Sequence, residues 1–383
     1  MGEIKFGTDG WRAVISEDFT FDNVRKVAQA MADYINNEGR SLKVKDNRIA
    51  VGYDTRFLSD RYAEHIARVM AANGIRMILS DRATPTPSLS YAIKERGLFG
   101  GVMITASHNP ARYNGIKFKA HYGGSAAPEV TKKFEARLGK NEVKYMHLAD
   151  VRSNGFISVE DILTPHLSFI KRYVDLKLIK KSGLKVLVDS MYGTGSSHIA
   201  ALLKGGNCRV DTIHSEVNPG FPGMNPEPIM PNLKELAEKV KKGKYDIGIA
   251  TDGDADRLGV ALPDGKLLTG HKVMTLLLLH LYEDRSMRGD VVQTICGTVL
   301  IDKICKKYGI KTHETNVGFK YIAEEIIDGD VLIGGEETGG LAFKGYLPER
   351  DGILSGLLIL EMMAKRKKKL PAILKAIDKE YGT

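Results

Sequence analysis

The feature that most constrains this chain is an internal repeat. Three segments, residues 48–79 (RIAVGYDTRFLSDRYAEHIARVMAANGIRMIL), 184–213 (LKVLVDSMYGTGSSHIAALLKGGNCRVDTI) and 290–315 (DVVQTICGTVLIDKICKKYGIKTHET), each read as strand, small-residue turn, amphipathic helix and second strand. In the first, Ala63, Ile66, Ala67 and Met70 fall on one helical face and Gly74 supplies a stop. A helix of that kind must bury its stripe on the strands it connects, which predicts α/β layering. Each segment is followed by a further apolar strand running into a polar, glycine- or proline-marked loop: GVMITASHNP (101–110), YDIGIATDGDADR (245–257) and DVLIGGEETGG (330–340). Open α/β sheets place ligands at the carboxyl ends of their strands, so these three loops are the expected site. Any strand-to-helix turn favours Gly, Asp and Asn, but recurrence in three repeats speaks against so bland a reading.

Composition narrows the class. At 383 residues with 43% hydrophobic content, the chain is long enough for two to four domains, each with a filled core. The N-terminus (MGEIKFGTDG) has no basic-then-apolar leader, and the richest apolar stretch, VMTLLLLHLY (273–282), is too short to cross a bilayer. No membrane association is expected, and a cytoplasmic location follows. Cys208, Cys296 and Cys305 lack the spacing of a zinc site and are expected as reduced thiols of the core. Lys and Arg exceed Asp and Glu by nine, yet the one dense basic run, AKRKKKLP (364–371), has no interleaved aromatics and reads as a solvated helix end. Nucleic acid is thereby disfavoured; small acidic substrates such as phosphate esters fit the charge.

The second loop carries Asp252, Asp254 and Asp256 at alternate positions, followed by Arg257. On a strand these carboxylates would diverge; on a tight turn they converge into a hard oxygen donor set suited to Mg²⁺ or Ca²⁺. Without the trailing glutamate of an EF-hand, Mg²⁺ completed by a phosphate is the better match. A solvated acidic turn is the alternative, and Asp252 also suits the phospho-acceptor of a metal-dependent phosphatase. In the first loop, TASHNP (105–110) presents a single hydroxyl, Ser107, between an apolar run and a proline.

Four segments, FGTDGWR (6–12), TASHNP with NGIKF (114–118) after it, DGDADR (252–257) and GEETGG (335–340), stand in the order and approximate spacing of the α-D-phosphohexomutase family. The chain resembles the phosphoglucomutase/phosphomannomutase members from residue 1 to about 370. That resemblance implies three similar α/β/α domains with mixed sheets around a central active-site cleft: a phosphoserine domain over 1–155, a metal-binding domain over 156–258 and a sugar-binding domain over 259–368. Residues 369–383 then form a linker or the start of a phosphate-binding fourth domain that the chain lacks. It further implies reversible interconversion of hexose 1-phosphate and hexose 6-phosphate by way of a phosphoserine and a hexose 1,6-bisphosphate, which also serves as activator, an activity expected to be impaired in this chain by loss of the fourth domain. Ser107 is the implied phosphoserine, and one Mg²⁺ is held by its phosphate with Asp252, Asp254 and Asp256. Arg257 offsets charge during transfer, Lys117 matches the proposed general acid/base, and Arg12 matches a residue close to the transfer site. His108, beside the nucleophile, is a candidate for a supporting role in proton movement. Glu336 and Thr338 stand where the family contacts sugar hydroxyls, and Lys320 is a candidate for neutralising the distal phosphate. Gly340 departs from relatives that place histidine there. FGTDGWR and EETGG look more like glucose- or mannose-directed members than phosphoglucosamine mutases, which remain the alternative within the family. A metal-dependent sugar-phosphate phosphatase and a noncatalytic phosphosugar-binding protein are the alternatives from other classes.

Overall fold

The computed structural model describes residues 4–7, 9–38 and 42–382, the side chain of Arg152 excepted. Thr8 of the FGTDGWR segment and Thr383 of the expected linker lie outside the described residues. The chain divides into two compact units, residues 1–167 with 218–220, and residues 168–217 with 221–383.

The first unit is built on β1 (Trp11–Val14), α1 (Phe21–Asn37), β2 (Asp46–Tyr53), α2 (Ser59–Ala72), β3 (Met77–Ser80), α3 (Thr86–Arg96), β4 (Leu98–Ile104), β5 (Tyr113–Ala120), α4 (Pro128–Glu135), α5 (Leu148–Ser153) and β6 (Ile157–Glu160). The unit boundary falls inside α6 (Leu163–Tyr173). The second unit continues with α7 (Leu176–Lys181), β7 (Lys185–Asp189), α8 (His198–Leu203), β8 (Arg209–Ile213), α9 (Lys234–Lys242), β9 (Ile247–Thr251), β10 (Leu258–Ala261) and α10 (Gly270–Leu279), which runs into a π-helical turn over 280–284. It ends with β11 (Asp290–Thr294), α11 (Val299–Tyr308), β12 (Thr312–Thr315), α12 (Phe319–Asp328), β13 (Val331–Gly335), β14 (Leu341–Phe343), α13 (Gly352–Arg366) and α14 (Leu370–Tyr381).

The repeat seen in the sequence is a repeat of topology. The sheets order as β1-β5-β4-β2-β3-β6, β10-β9-β7-β8 and β12-β11-β13-β14. In each, the first strand of the repeat (β2, β7, β11) lies between its parallel successor (β3, β8, β12) and a parallel third strand (β4, β9, β13), and a fourth strand (β5, β10, β14) pairs antiparallel with the third. The first sheet adds β1 antiparallel to β5 and β6 parallel to β3. The sheets are therefore mixed, as expected. The loops carrying Ser107, the three aspartates and Glu336 are in every case the connection from third to fourth strand.

The reason for α/β layering is visible in the helices. Helix α2 buries Tyr62, Ala63, Ile66, Ala67 and Met70, and Gly74 beyond its end has φ +76°, a left-handed turn that glycine enters without a Cβ penalty. The three α/β/α domains stand as expected, but two of them pack into one compact unit. Helix α13 is apolar nearly all round and buried from Gly352 to Ala364, packing on β9, β10 and α10, while α10 packs on β13. An element with no polar face must be covered on every side, so the second and third sheets share one body. Residues 369–383, expected as a linker or domain start, carry α14, which buries Leu370, Ile373, Leu374 and Ile377, contacts α11 and pairs Asp378 with Lys272 of α10. The basic run lies across the end of α13, with Lys367, Lys368 and Lys369 exposed. Cys208 and Cys305 are buried, and burial pushes the Cys305 thiol up to about 12. Cys296 differs from expectation: it is exposed, in the turn that leaves β11.

Candidate active site

In the first unit, Ser107 sits on the loop from β4 to β5, buried, at φ +53°. A left-handed serine is held only where its surroundings over-determine it. Here they do. The Arg56 guanidinium donates through Nη2 to the carbonyls of Ser107 (2.7 Å) and Asn109, and through Nη1 to those of Pro110 (2.8 Å) and Tyr113 (3.0 Å). Arg56 is itself paired with Asp54 at 3.3 Å, both side chains being fully buried. Burial pushes the Asp54 carboxyl up, opposed by Arg56 and by hydrogen bonds from Thr105, the Arg56 amide and Ser59. The Ser107 amide donates to Thr105 Oγ1 (2.8 Å), and Ser107 Oγ lies 3.4 Å from His108 Nδ1. One charged pair thus fixes four carbonyls of the serine loop.

Arg12 and Lys117 reach this region from neighbouring strands. Arg12 on β1 lies opposite Gly115 on β5, and its Nη1 donates to Asn109 Oδ1 at 2.8 Å. Lys117 on β5 is opposite Met103 on β4. Its Nζ lies 2.8 Å from Asp9 Oδ2, and Asp9 Oδ1 is 3.6 Å from Lys119 Nζ and accepts from Ser125 Oγ at 3.0 Å. Both lysines are buried, and the carboxylate they share offsets one unit of their charge. Gly115 permits the crowding: a Cβ there would come within 2.6 Å of the Thr105 carbonyl and 2.7 Å of the Trp11 carbonyl.

In the second unit, Asp252, Asp254 and Asp256 are all fully buried on the β9–β10 turn. Asp252 Oδ1 accepts from the amides of Asp256 (3.0 Å) and Arg257 (3.1 Å), closing the turn through Ala255 at φ +57°. One oxygen from each aspartate lies within 4.8 Å of the others. Three hard carboxylate oxygens at that spacing fit a divalent cation such as Mg²⁺. The turn from β13 to β14 is pinned by two backbone bonds, from Glu336 N to Gly340 O (3.0 Å) and from Gly339 N to Glu336 O (3.1 Å), with Gly339 at φ +87°. Glu336 is buried and Thr338 exposed at the tip. Burial raises the Glu336 carboxyl, while Arg350 and Arg257 lower it and Asp256 and Glu337 raise it further. Glu337 accepts from Thr294 Oγ1 at 3.1 Å, a bond internal to the sheet end.

The two turns are joined. Leu258 N donates to Gly339 O at 3.1 Å, and Arg350, just before α13, donates through Nη2 to Asp256 Oδ2 (2.6 Å) and through Nη1 to Glu336 Oε2 (3.3 Å). Thus Asp252, Asp254, Asp256, Arg257 and Glu336 are gathered by contacts within one unit. Lys320, on the first turn of α12, has its ammonium 4.9 Å from the Tyr321 ring centroid.

Family comparison meets the same three segments. Phosphoglucomutase/phosphomannomutase alpha/beta/alpha domain I matches residues 3–144, domain II residues 164–265 and domain III residues 269–381. The chain belongs to the phosphoglucomutase/phosphomannomutase family. Members are intramolecular phosphotransferases of the phosphohexomutase class. A Thermococcus kodakarensis protein named phosphoglucomutase/phosphomannomutase is 33% identical over 381 residues, covering 100% of this chain and 81% of its own. A Sulfurisphaera tokodaii phosphoglucosamine/phosphogalactosamine mutase is 31% identical, covering 100% and 82%. Among solved structures, a Thermus thermophilus protein assigned as a phosphomannomutase superposes with a TM-score of 0.91 at 35% identity, covering 100% of this chain and 84% of its own.

Family motifs point to the reactive groups and leave out what holds them. Asp54, Arg56 and Arg350 are absent from the sequence expectations, and Asp9 stands inside FGTDGWR without being singled out there. DTR at 54–56 and RD at 350–351 do follow or precede regular elements, and a charged pair at such a junction is the only local signal either gives.

Proposed function

We propose that the chain interconverts hexose 1-phosphate and hexose 6-phosphate, with glucose or mannose as the sugar. Ser107 is the phosphoryl carrier: its phosphate is transferred to the free oxygen of a hexose monophosphate, breaking the P–Oγ bond and forming a P–O bond to the sugar. The sugar hydroxyl proton leaves to a base, for which Lys117 is the candidate and His108 a supporting one, and the released Ser107 Oγ takes up a proton to become the hydroxyl again. The resulting 1,6-bisphosphate then returns its other phosphate to Ser107, with proton movement reversed, so that isomerisation is two transfers and no net hydrolysis. Asp252, Asp254 and Asp256 would hold Mg²⁺, which when bound neutralises charge on the transferring group. Arg257 and Arg12 add positive charge, Glu336 and Thr338 hydrogen-bond the sugar hydroxyls, and Lys320 is the candidate for the distal phosphate.

The observation that carries this reading is the equivalence of the three loops. A hydroxyl, a carboxylate trio and an acceptor carboxylate stand at one topological position in three sheets of a phosphohexomutase-family chain. A second sugar class has specific support, since the 31% identical Sulfurisphaera relative is named for amino sugars. One assay decides among them: turnover of glucose, mannose and glucosamine phosphates with Mg²⁺ and a trace of glucose 1,6-bisphosphate, alongside intact-protein mass. The proposal expects a mass higher by one phosphate that disappears in Ser107→Ala together with turnover. Full phosphate release by Ser107→Ala would instead favour an Asp252-dependent phosphatase.

A further inference from the structure

The third loop contains a glycine whose backbone does not call for one. Gly340 is not among the positive-φ glycines of the described residues, yet a Cβ there would lie 2.3 Å from Arg350 Cδ and 3.0 Å from Arg350 Cγ. The space of a side chain at 340 is filled by the stem of Arg350. A flexible stem would ordinarily swing aside, but this one is tied at its head. Its Nη2 holds Asp256 at 2.6 Å, its Nη1 holds Glu336 at 3.3 Å, Nε lies 3.8 Å from Glu349, and the guanidinium sits 5.2 Å from the Phe319 ring centroid. The side chain is buried. A planar guanidinium can fork between two carboxylates in fixed directions, whereas an ammonium is a point charge that satisfies one well.

We propose that Arg350 is a positioning residue that couples the metal loop to the sugar loop, and that Gly340 is glycine because Arg350 passes through the place of its side chain. This rests on the reading of Asp256 as a metal ligand and Glu336 as a sugar contact. Holding Asp256 Oδ2 fixes the direction of one carboxylate of the trio, and holding Glu336 Oε2 sets that carboxylate as an acceptor for a hydroxyl. An ion that orders Asp256 orders through it the shared guanidinium, and with the guanidinium the Glu336 carboxylate. Each ligand therefore tightens the other, by the same factor in both directions.

The test is calorimetric titration of the full chain with Mg²⁺ and with glucose 1-phosphate, each alone and at saturation of the other. Five proteins are compared: the unsubstituted chain, Arg350→Ala, Arg350→Lys, Gly340→Ala and the double Gly340→Ala/Arg350→Ala. Arg350→Ala should weaken Mg²⁺ binding about 10- to 100-fold, the usual effect of removing a group that orients a metal ligand, and should bring the linkage factor to one. Arg350→Lys should recover part of the Mg²⁺ affinity and none of the linkage. Gly340→Ala should act in the same direction as Arg350→Ala although it removes no charged group, and in the double substitution its added cost should vanish because the stem it collides with is gone. Equal Mg²⁺ affinity in Gly340→Ala and the unsubstituted chain, additive costs in the double, or a linkage factor of one before any substitution would each overturn the inference while leaving the mutase reading standing. Should Arg350→Ala not fold, the Gly340→Ala affinity decides the matter alone. Failure of the unsubstituted chain to bind either ligand overturns the reading of the site and this inference with it.

Discussion

At the scale of single residues, burial and charge set the sign of several effects. Replacing Asp254 with Asn keeps its volume but removes one negative donor from the trio, so Mg²⁺ binding should weaken and phosphoryl transfer fall by about two powers of ten or more, roughly 3 kcal/mol at 1.4 kcal/mol per tenfold. Thermal unfolding should hardly move. Unchanged turnover at limiting Mg²⁺ would remove the trio from the chemistry. His65 gives a pH dependence of stability. Burial first, then Arg25 and Arg68, push its imidazole down from 6.5 to about 4, and its ring stacks between Phe21 and Tyr145. Because the folded value lies below the unfolded one, the stabilisation is whole above pH 6.5 and lost as pH falls toward 4. The side chain is only half-buried, so the loss is discounted to about 1–2 kcal/mol. His65→Phe keeps the stack and should flatten that part of the profile; denaturant unfolding of both proteins from about pH 7 to about pH 4 measures the difference. The clustering of the three aspartates was legible in sequence, and Ser107 and Lys117 stand out there as candidates, because motif and chemistry coincide in a few adjacent letters. Asp9 stood inside FGTDGWR with its role unread, and Arg350 was not legible at all, since their partners lie far along the chain, Asp256 being 94 residues from Arg350.

At the scale of elements, the serine loop depends on a buried ion pair more than on its own sequence. Arg56→Met leaves Asp54 without its charged partner and four loop carbonyls without their donor, a change that costs about 3–5 kcal/mol in buried pairs. The expected result is a lower unfolding midpoint together with loss of turnover, and Arg56→Lys should restore part of the first and little of the second, because one ammonium cannot reach four carbonyls. Equal stability of Arg56→Met and the unsubstituted chain would show that the loop holds itself. The strands and helices of the repeats were readable because their apolar period is strong and glycine marks the turns. The loop conformations were not readable: a serine at φ +53° and an alanine at φ +57° are imposed by partners from other elements, and a local sequence carries no trace of them.

At the scale of the molecule, three repeats in the sequence become two compact units, and the cause is one helix. Sequence shows α13 as an apolar run; it does not show which sheet that run will cover, and α13 with α10 covers parts of two. Leu357, fully buried on α13, is the lever. Leu357→Ala should cost about 2–5 kcal/mol, and hydrogen exchange should rise together in β9 and β13, although those strands belong to different sheets. A rise confined to β9 and β10 would show that the second and third sheets open separately. The equivalence of the three reactive loops has a consequence for how such a chain can change. Each loop joins a parallel strand to an antiparallel one, and a ladder grips it at both ends: Ile104 faces Ile116, Thr251 faces Leu258, and Gly335 faces Leu341. An insertion in a helical crossover lengthens a turn far from these pairs, whereas one that slipped a hairpin's register by a single residue would turn every side chain of the outgoing strand to its other face. Substitution within the three loops leaves those end pairs standing, and is the route to a new specificity that does not disturb the ladders.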